Sequence, residues 1–366
     1  MKKSLIALAV LAASGASFAQ SNVTLYGKAD IWFGSVKSET SGTNLGSSSL
    51  SQTRLDSSGV NTSRWGMKGS EDLGGGLKAN FQLEQGFNVD TGTAGVTGQT
   101  FNRQSWVGVS GGFGEVQFGR VWSSYDDINS SAIDSFGANV AAKYNVWLGY
   151  QDRPSNAVKY ASPTISGFSG SLTYGLGEDK TAKNDASHVM ALGGQYAQGP
   201  LFVGLAYQEQ TQTGGANSVF SALPGDAAKI FPALSTAFTG KTTYTTINGS
   251  YDLGVAKLIG AYNIAKQTID ATSTTSAGEF KAKEFDLGVE VPLSASLNLG
   301  GGYAQSNVQV NGVDAWKTSG FTGALTYTLS KRTFVYGALQ QVKLESQVSN
   351  DVAKSTLFAL GVNHSF

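Results

Sequence analysis

The side chains here that could do chemistry are cations grouped in the first half of the sequence and carboxylates set among them. Arg64, Lys68 and Lys78 are followed by Arg103, Arg120, Arg153 and Lys159, and the stretch 121–153 carries Asp126, Asp127, Asp134 and Asp152. Such groups attract, orient or repel charged solutes, but none is an activated nucleophile. There is no cysteine, and the only two histidines are His188 and His364. Thiolate zinc sites, iron–sulfur clusters, disulfide scaffolds and cysteine nucleophiles are therefore excluded. A serine hydrolase needs Ser, His and a polar orienter close together, whereas the two histidines fall on separate candidate strands, on their apolar parity. Gly74-Gly75-Gly76 lacks the strand–glycine–helix setting of a phosphate loop. Neither catalysis nor a cofactor is expected. Lys+Arg and Asp+Glu balance at 26 each, so the chain as a whole offers no electrostatic case for nucleic acid.

The elements that must position these charges repeat every two residues. Leu77, Ala79, Phe81 and Leu83 alternate with Lys78, Asn80, Gln82 and Glu84, which in a strand gives one apolar and one polar face. Trp65 and Met67 likewise oppose Arg64 and Lys68, and 71–76 is a turn joining the two into a hairpin. The same period gives sixteen strands, near 22–34, 62–71, 77–88, 101–110, 115–121, 154–162, 168–176, 187–197, 200–209, 242–252, 255–267, 281–291, 296–307, 317–328, 332–344 and 353–366. In 101–110, Arg103 shares parity with Val107 and Val109, which calls for a bulge or a covered face. Tight turns alternate with long polar segments at 35–61, 89–100, 121–153, 177–186, 210–241, 268–280, 308–316 and 345–352.

Before these strands lies an address. Lys2 and Lys3, the apolar run Leu5 to Ala13 and Ser17-Phe18-Ala19 form the three regions of a secretory signal. Residues 1–19 are read as that signal and 20–366 as the mature chain. No later stretch approaches the roughly 18 apolar residues of a membrane helix. Short turns opposite long loops are the asymmetry of an outer-membrane β-barrel. The competing soluble all-β architectures also alternate, but they wet one face with charge at ordinary frequency. Only 14% of this chain is charged, against about 25% in soluble domains. Trp32, Phe33, Phe87, Tyr174, Tyr196, Tyr207, Tyr251, Tyr303 and Tyr327 near strand ends suit interfacial girdles. The expected fold is all-β, a sixteen-stranded antiparallel transmembrane barrel.

Several segments then resemble the general porin family of β-proteobacterial outer membranes. They are Val23-Thr24-Leu25-Tyr26-Gly27, the blocks Ser63-Arg64-Trp65-Gly66 and 69–78, Phe101-Asn102-Arg103-Gln104, Phe113-Gly114-Glu115-Val116 with Gly119-Arg120, 156–160, 329–333 and His364-Ser365-Phe366. The resemblance implies a homotrimer of Gram-negative general porins in the outer membrane. It also implies a third long loop, here about 121–153, folded into the lumen. The apolar Val121, Trp122, Ile128, Ile133, Phe136, Val140, Trp147 and Leu148 of that loop suit packing inside a barrel better than exposure to water. Aligned on the family's motifs, an anion-selecting arginine cluster falls on Arg64, Arg103 and Arg153, although Pro154 departs from the usual pattern. Phe366 resembles the terminal aromatic read by the barrel-insertion machinery.

These readings together imply a water-filled channel for small hydrophilic solutes and ions, in a bilayer with lipopolysaccharide. Its lumen cations Arg64, Lys68, Lys78, Arg103, Arg120, Arg153 and Lys159 would favour anions. Asp126, Asp127 and Asp134 would moderate that preference if they line the pore opposite the arginines. Two alternatives stand beside it. A substrate-specific channel would need an aromatic track, for which Trp122, Tyr125 and Trp147 are the candidates. A non-conducting adhesin-type barrel would act through the loops at 35–61 and 210–241.

Overall fold

Side-chain alternation sets the wall. The computed structural model describes residues 22–132, 143–182, 185–215, 238–270 and 277–366. The expected signal, 1–19, and Asp134 lie outside the described residues. Among the described residues seventeen strands and the short helix α1 (Ser124–Asn129) follow in order. The first group is β1 (Asn22–Ser41), β2 (Ser48–Ser57), β3 (Arg64–Gly74), β4 (Leu77–Gly86), β5 (Gln104–Gly111) and β6 (Gly114–Arg120). Then come α1 (Ser124–Asn129), β7 (Ala157–Ala161), β8 (Phe168–Leu176), β9 (His188–Gln198), β10 (Leu201–Gly215) and β11 (Phe238–Asp252). The last are β12 (Lys257–Ile269), β13 (Gly278–Pro292), β14 (Leu297–Val310), β15 (Val313–Ser330), β16 (Thr333–Ser346) and β17 (Val352–Ser365).

From β3 onward each strand pairs antiparallel with the next, and β1 pairs with β17 from Lys28↔Ser365 to Ser41↔Val352, which closes the sheet. Closure leaves no sheet edge to lipid, as a membrane demands. On its other side β1 pairs first with β3 and then, farther along, with β2. β2 and β3 thus share one position, and seventeen segments make the expected sixteen-position wall. The break between them is built around Asp30, whose buried carboxylate accepts from Gly59 N–H, Asn61 N–H, Tyr336 Oη–H and Asn363 Nδ2–H. One parity of the wall is apolar and exposed, as with Leu201, Val203 and Leu205 on β10 or Leu258, Tyr262 and Ile264 on β12. The other is polar and buried, as with Gln208, Thr246, Asn248, Asn263 and Glu284. A closed wall with its apolar face outward belongs in lipid and keeps its polar face for the lumen.

Four expectations change. The segment 35–61 is not one loop: β1 and β2 continue as a hairpin rich in Ser and Thr, whose few apolar residues, Val36, Leu50 and Leu55, do not share one parity and so hid it from a two-residue hydrophobic period. The segment 308–316 is a tight turn, with Asn311 at φ 49° and Gly312 at φ 82°, the left-handed pair of a type I′ hairpin. Trp32 is no girdle residue, since it points inward and packs with Ala324, Tyr336, Ala338 and Ala359. The parity conflict at Arg103 disappears because β5 begins at Gln104 and Arg103 precedes it.

Candidate functional site: a charged constriction

The connection from β6 to β7 runs over the polar face of the wall. α1 is capped by Ser123, whose side chain accepts from Asp126 N–H, the usual remedy for a helix's unpaired first-turn donors. Ser124 N–H donates to Thr173 Oγ1 on β8 (3.0 Å), and Tyr125 Oη–H to Asn263 Oδ1 on β12 (2.9 Å). Asn248 on β11 donates to the Ile128 carbonyl. The returning half is tied by Leu148 N–H to Glu284 Oε1 (2.7 Å), Tyr244 Oη–H to the Gly149 carbonyl (2.7 Å) and Gln208 Nε2–H to the Gln151 carbonyl (3.1 Å). Every wall partner lies on the inward parity, so the described parts of the loop sit within the lumen. Small inward residues make the room: Ala191, Ala206, Ala265 and Ala282 receive Tyr125, Ile128 and Leu148 in one buried cluster. Tyr125 and Trp147 are covered against the wall, which removes two of the three candidates for the aromatic track that a substrate-specific channel would need.

Between the free side of this loop and the wall lies an opening of about 860 Å³, lined by Arg64 at the start of β3, Arg103 ahead of β5, Trp122, Asp126, Asp127 and Arg153, and by Ala161, Ser171 and Gly193 on β7–β9. Glu84, almost fully buried, holds two of the arginines: Arg103 Nε at 2.7 Å and Arg64 Nε at 3.5 Å. Arg103 and Arg153 both lie over Trp122, at 5.4 and 4.5 Å from a ring centroid, within cation–π range. Burial pushes Arg103 down from its ordinary value; Arg153 adds to this and Glu84 opposes it. Arg153 also pairs with Asp152 at 2.7 Å, and Lys159 reaches Asp127 at 2.6 Å. The loop's acids therefore do face the arginines, but Asp127 and Asp152 are each tied to a cation.

The other expected cations are placed differently. Arg120 is a brace: Nε donates to the Asn102 carbonyl (2.7 Å) and Nη1 to Ser155 Oγ (2.9 Å). Lys68 lies over the Tyr26 ring, 5.5 Å from its centroid. Lys78 is exposed at the start of β4, opposite Asp72 beside a short turn. Six residues separate it from Glu84, roughly 20 Å at strand rise. Phe366 exchanges backbone hydrogen bonds of 3.0 Å with Gly27 at the barrel seam. Sequence reasoning missed three contributors: Glu84, Trp122 as the arginines' platform, and Lys28, whose Nζ reaches Asn61 Oδ1 at 3.4 Å on the rim of the opening. Glu84 and Lys28 were visible on the lumen parity, whereas nothing in sequence ties Trp122 to Arg103.

Asp126 is the titratable member. Its carboxyl accepts from Tyr150 Oη–H at 2.5 Å. Burial first, then the charge of Asp152, pushes it up to about 7, with the Tyr150 hydrogen bond opposing. A carboxyl raised in this way favours the folded loop fully at pH below its free value of 3.8 and loses that contribution as pH rises to 7. The field at the opening follows the same proton. Lys28, Arg64, Arg103, Arg153 and Lys159 face Glu84, Asp126, Asp127 and Asp152, five cations against four anions, and three once Asp126 is protonated. A unit charge about 7 Å from a permeating ion in water is worth about 0.6 kcal/mol, opposite in sign for anion and cation. Screening at about 0.1 M salt halves the resulting difference of about 1.2 kcal/mol, which leaves roughly threefold in their ratio. Lowering the pH from about 8 to about 6 should thus raise the chloride-over-potassium permeability ratio roughly threefold at about 0.1 M salt. Reversal potentials check this: Asp126→Asn should hold the high ratio at both pH values, and an unaltered pH response in that variant would remove Asp126 from the account.

The comparisons agree with this geometry. The sequence matches the Gram-negative porin family over residues 5–347. It is 33% identical to an outer membrane porin protein of Delftia acidovorans, over 99% of this chain and 95% of the relative. It is 31% identical to an outer membrane porin protein of Bordetella pertussis, over 100% of both chains. Among solved structures, the anion-selective porin from Comamonas acidovorans superimposes with a TM-score of 0.73 at 28% identity, over 95% of this chain and 100% of that one. A closed sixteen-position barrel with lipid-facing apolar strands, a loop inside its lumen and these relatives along its length place the chain in the Gram-negative porin family, as a general diffusion porin of the outer membrane.

Proposed function

We propose that this porin passes small hydrophilic solutes with a preference for anions, set at the opening between the inward loop and the barrel wall. The convergence of Arg64, Arg103 and Arg153 on one water-accessible opening carries the reading. Low-dielectric walls focus the field of such charges on whatever passes. The similar porin from Comamonas acidovorans is described as anion-selective, which supports it. The preference is modest in size, because Glu84, Asp127 and Asp152 offset most of the positive charge. Lys68 extends the positive surface along the lumen, and Lys78 stands at the short-turn mouth.

The mature chain begins at residue 20 after loss of 1–19, and Phe366 serves as the terminal assembly signal for the insertion machinery. It assembles as a homotrimer through the low side of the wall, where β5–β8 span only 5 to 9 residues each and expose Val107, Phe118, Val158, Tyr160 and Leu172. A contiguous apolar surface of that kind marks a contact with lipid or a neighbouring subunit. Reversal potentials in a salt gradient test the ion preference. Arg103→Gln with Arg153→Gln removes two unit charges and should lower the anion-over-cation ratio roughly tenfold at about 0.1 M salt. A ratio equal to that of the unaltered porin would overturn the assignment.

A further inference from the structure

Two loops far apart in sequence meet at the long-loop mouth of the barrel. β1 pairs with β17 as far as Ser41↔Val352, and beyond that pair residues 42–46 turn toward β2, with Gly46 N–H donating to the Gly42 carbonyl at 2.9 Å. Gly42 sits at φ 127°, a conformation that favours glycine. An added Cβ there would press on Asp351 Oδ1 and lie 2.5 Å from Asp351 Cα. This close approach delivers the next three amides to the β16–β17 loop. Thr43 donates its N–H (2.9 Å) and its Oγ1–H (2.7 Å) to Asn350 Oδ1. Asn44 N–H (2.8 Å) and Leu45 N–H (3.2 Å) both reach Asp351 Oδ1. Asn44 Nδ2–H (2.5 Å) and Ser349 Oγ–H (2.6 Å) reach Oδ2.

Asp351 is 1% exposed, although Gln347, Val348 and Asn350 beside it are open to water. A run of backbone N–H groups around an anion is a nest, here filled by a side chain of the same protein. Hydrogen bonds to an ionised group are stronger than neutral ones, and this carboxylate accepts four. Its effect falls on Leu45, the only large apolar residue between Val36 and Leu50. Leu45 is half-buried and packs against the inward cluster. That cluster joins Trp316, Leu344 and Ala353 of the upper wall to Tyr125, Ile128 and Leu148 of the inward loop.

We infer that Asp351 is a positioning residue: it docks the 42–46 turn against the inner wall of the long-loop mouth, so that the turn frames the entrance and does not cross it. Without Asp351 the turn keeps only the bonds of Thr43 to exposed Asn350 and the Leu45 contact. Turns with few apolar contacts and exposed hydrogen bonds open locally at little cost. An opened turn of this kind swings into the path of solutes. The inference concerns the steadiness of the entrance and is independent of the ion preference set deeper in the lumen.

Amide hydrogen exchange and single-channel recording test this on the folded porin. In the unaltered porin the Asn44 and Leu45 amides should be protected. Asp351→Ala should speed their exchange at least roughly tenfold, the effect of losing one hydrogen bond to a charged group. Gly42→Ala disturbs the same contact from the other loop and should do likewise. Both variants should show brief interruptions of the open-channel current that the unaltered porin lacks, with unchanged reversal potentials. Thr43→Cys with Asn350→Cys, added to Asp351→Ala, puts a disulfide in place of the carboxylate in a chain with no other cysteine. Oxidation should abolish the interruptions and a reductant should restore them, which a general loss of stability would not do. Unprotected amides in the unaltered porin, unaltered exchange in Asp351→Ala, or a steady current in both variants would each overturn the assignment. So would interruptions that persist after oxidation, or a shifted reversal potential, which would place the effect at the constriction.

Discussion

Gly193→Val should dislodge the inward loop and lower single-channel conductance, while Gly194→Val leaves both intact. Gly193 is an inward position of β9 pressed against the Ser124 carbonyl, and an added Cβ would also lie 2.9 Å from Ile128 Cγ1. The isoleucine can rotate away, but a backbone carbonyl in α1 cannot. The helix must therefore lift from the wall or the strand must bend. Overpacking of this kind costs about 1–3 kcal/mol. Lifting α1 further exposes Tyr125 and Ile128, each worth about 1.5–3 kcal/mol when fully buried. The helix carries Asp126 and Asp127 into the opening as it moves, so both its width and its field change together. At Gly204 on β10 the three nearest atoms to an added Cβ all belong to side chains, Ile128 Cγ2 at 2.6 Å the first of them, and since these can rotate Gly204→Val should have the smaller effect. At Gly194 nothing lies within 4 Å of an added Cβ, because the next residue along a strand faces the opposite side. Planar-bilayer recording separates the two neighbours. Equal conductance in Gly193→Val and Gly194→Val would mean that α1 is not held where its contacts place it.

The same parity rule explains how far the sequence alone could be read. Wherever one face meets lipid, as along Leu201 to Tyr207 or Leu258 to Ile264, hydrophobic alternation located the strand and assigned its faces. It failed where no face meets lipid. β2 and the upper part of β1 are mainly polar on both sides, and Leu50 and Leu55 fall on opposite parities, so their pairing left no regular hydrophobic alternation. Asn311-Gly312 was a signal for a tight turn that the expectation of a long loop overlooked, since that dipeptide supplies the two left-handed positions a tight hairpin requires. Arg103 showed the reverse difficulty. Its apparent place on the apolar parity of β5 came from starting the strand at 101, three residues too early.

The site was legible in part because charge on the lumen parity has few roles other than acting on solutes or pairing across the pore. That argument found Arg64, and motif alignment found Arg103 and Arg153, which the structure places around one opening. It could not separate them from Arg120, whose donors are taken up by Asn102 and Ser155, because loop contacts leave no periodic pattern. Trp122 was invisible for the same reason: its partners lie 19 residues before it in the loop ahead of β5 and 31 residues after it at the loop's exit. Distant contacts of this sort are decided by how the loop packs on the wall, and that packing depends on small residues such as Ala191, Ala206 and Gly193 rather than on the charges it positions.

Glu84 shows how closely positive charge at the opening is tied to order. Its carboxylate accepts from Arg103 at 2.7 Å and from Tyr26 at 3.0 Å, and it faces Arg64 at 3.5 Å. Glu84→Gln keeps the size and one acceptor oxygen but removes the charge between two arginines. Gained positive charge should raise the anion-over-cation ratio roughly threefold at about 0.1 M salt, by the same arithmetic at about 7 Å as for Asp126. The cost falls on the protein, because truncating one partner of a buried pair leaves the other uncompensated, at about 3–5 kcal/mol in a dry interior. Arg103 borders water, so the loss here should be nearer about 1.5–3 kcal/mol, the range of a hydrogen bond to a charged group. Without its anchor Arg103 retains only the Trp122 ring, over which Arg153 also lies, and the two cations should separate. Selectivity should therefore rise while thermal stability falls and open-channel noise grows. Glu84→Asp, which keeps the charge but shortens the reach, should preserve the ratio and still lose stability. If Glu84→Gln lowered the anion preference instead, the arginines would depend on Glu84 for their place at the opening more than they are masked by it, and position would outweigh net charge in setting what passes.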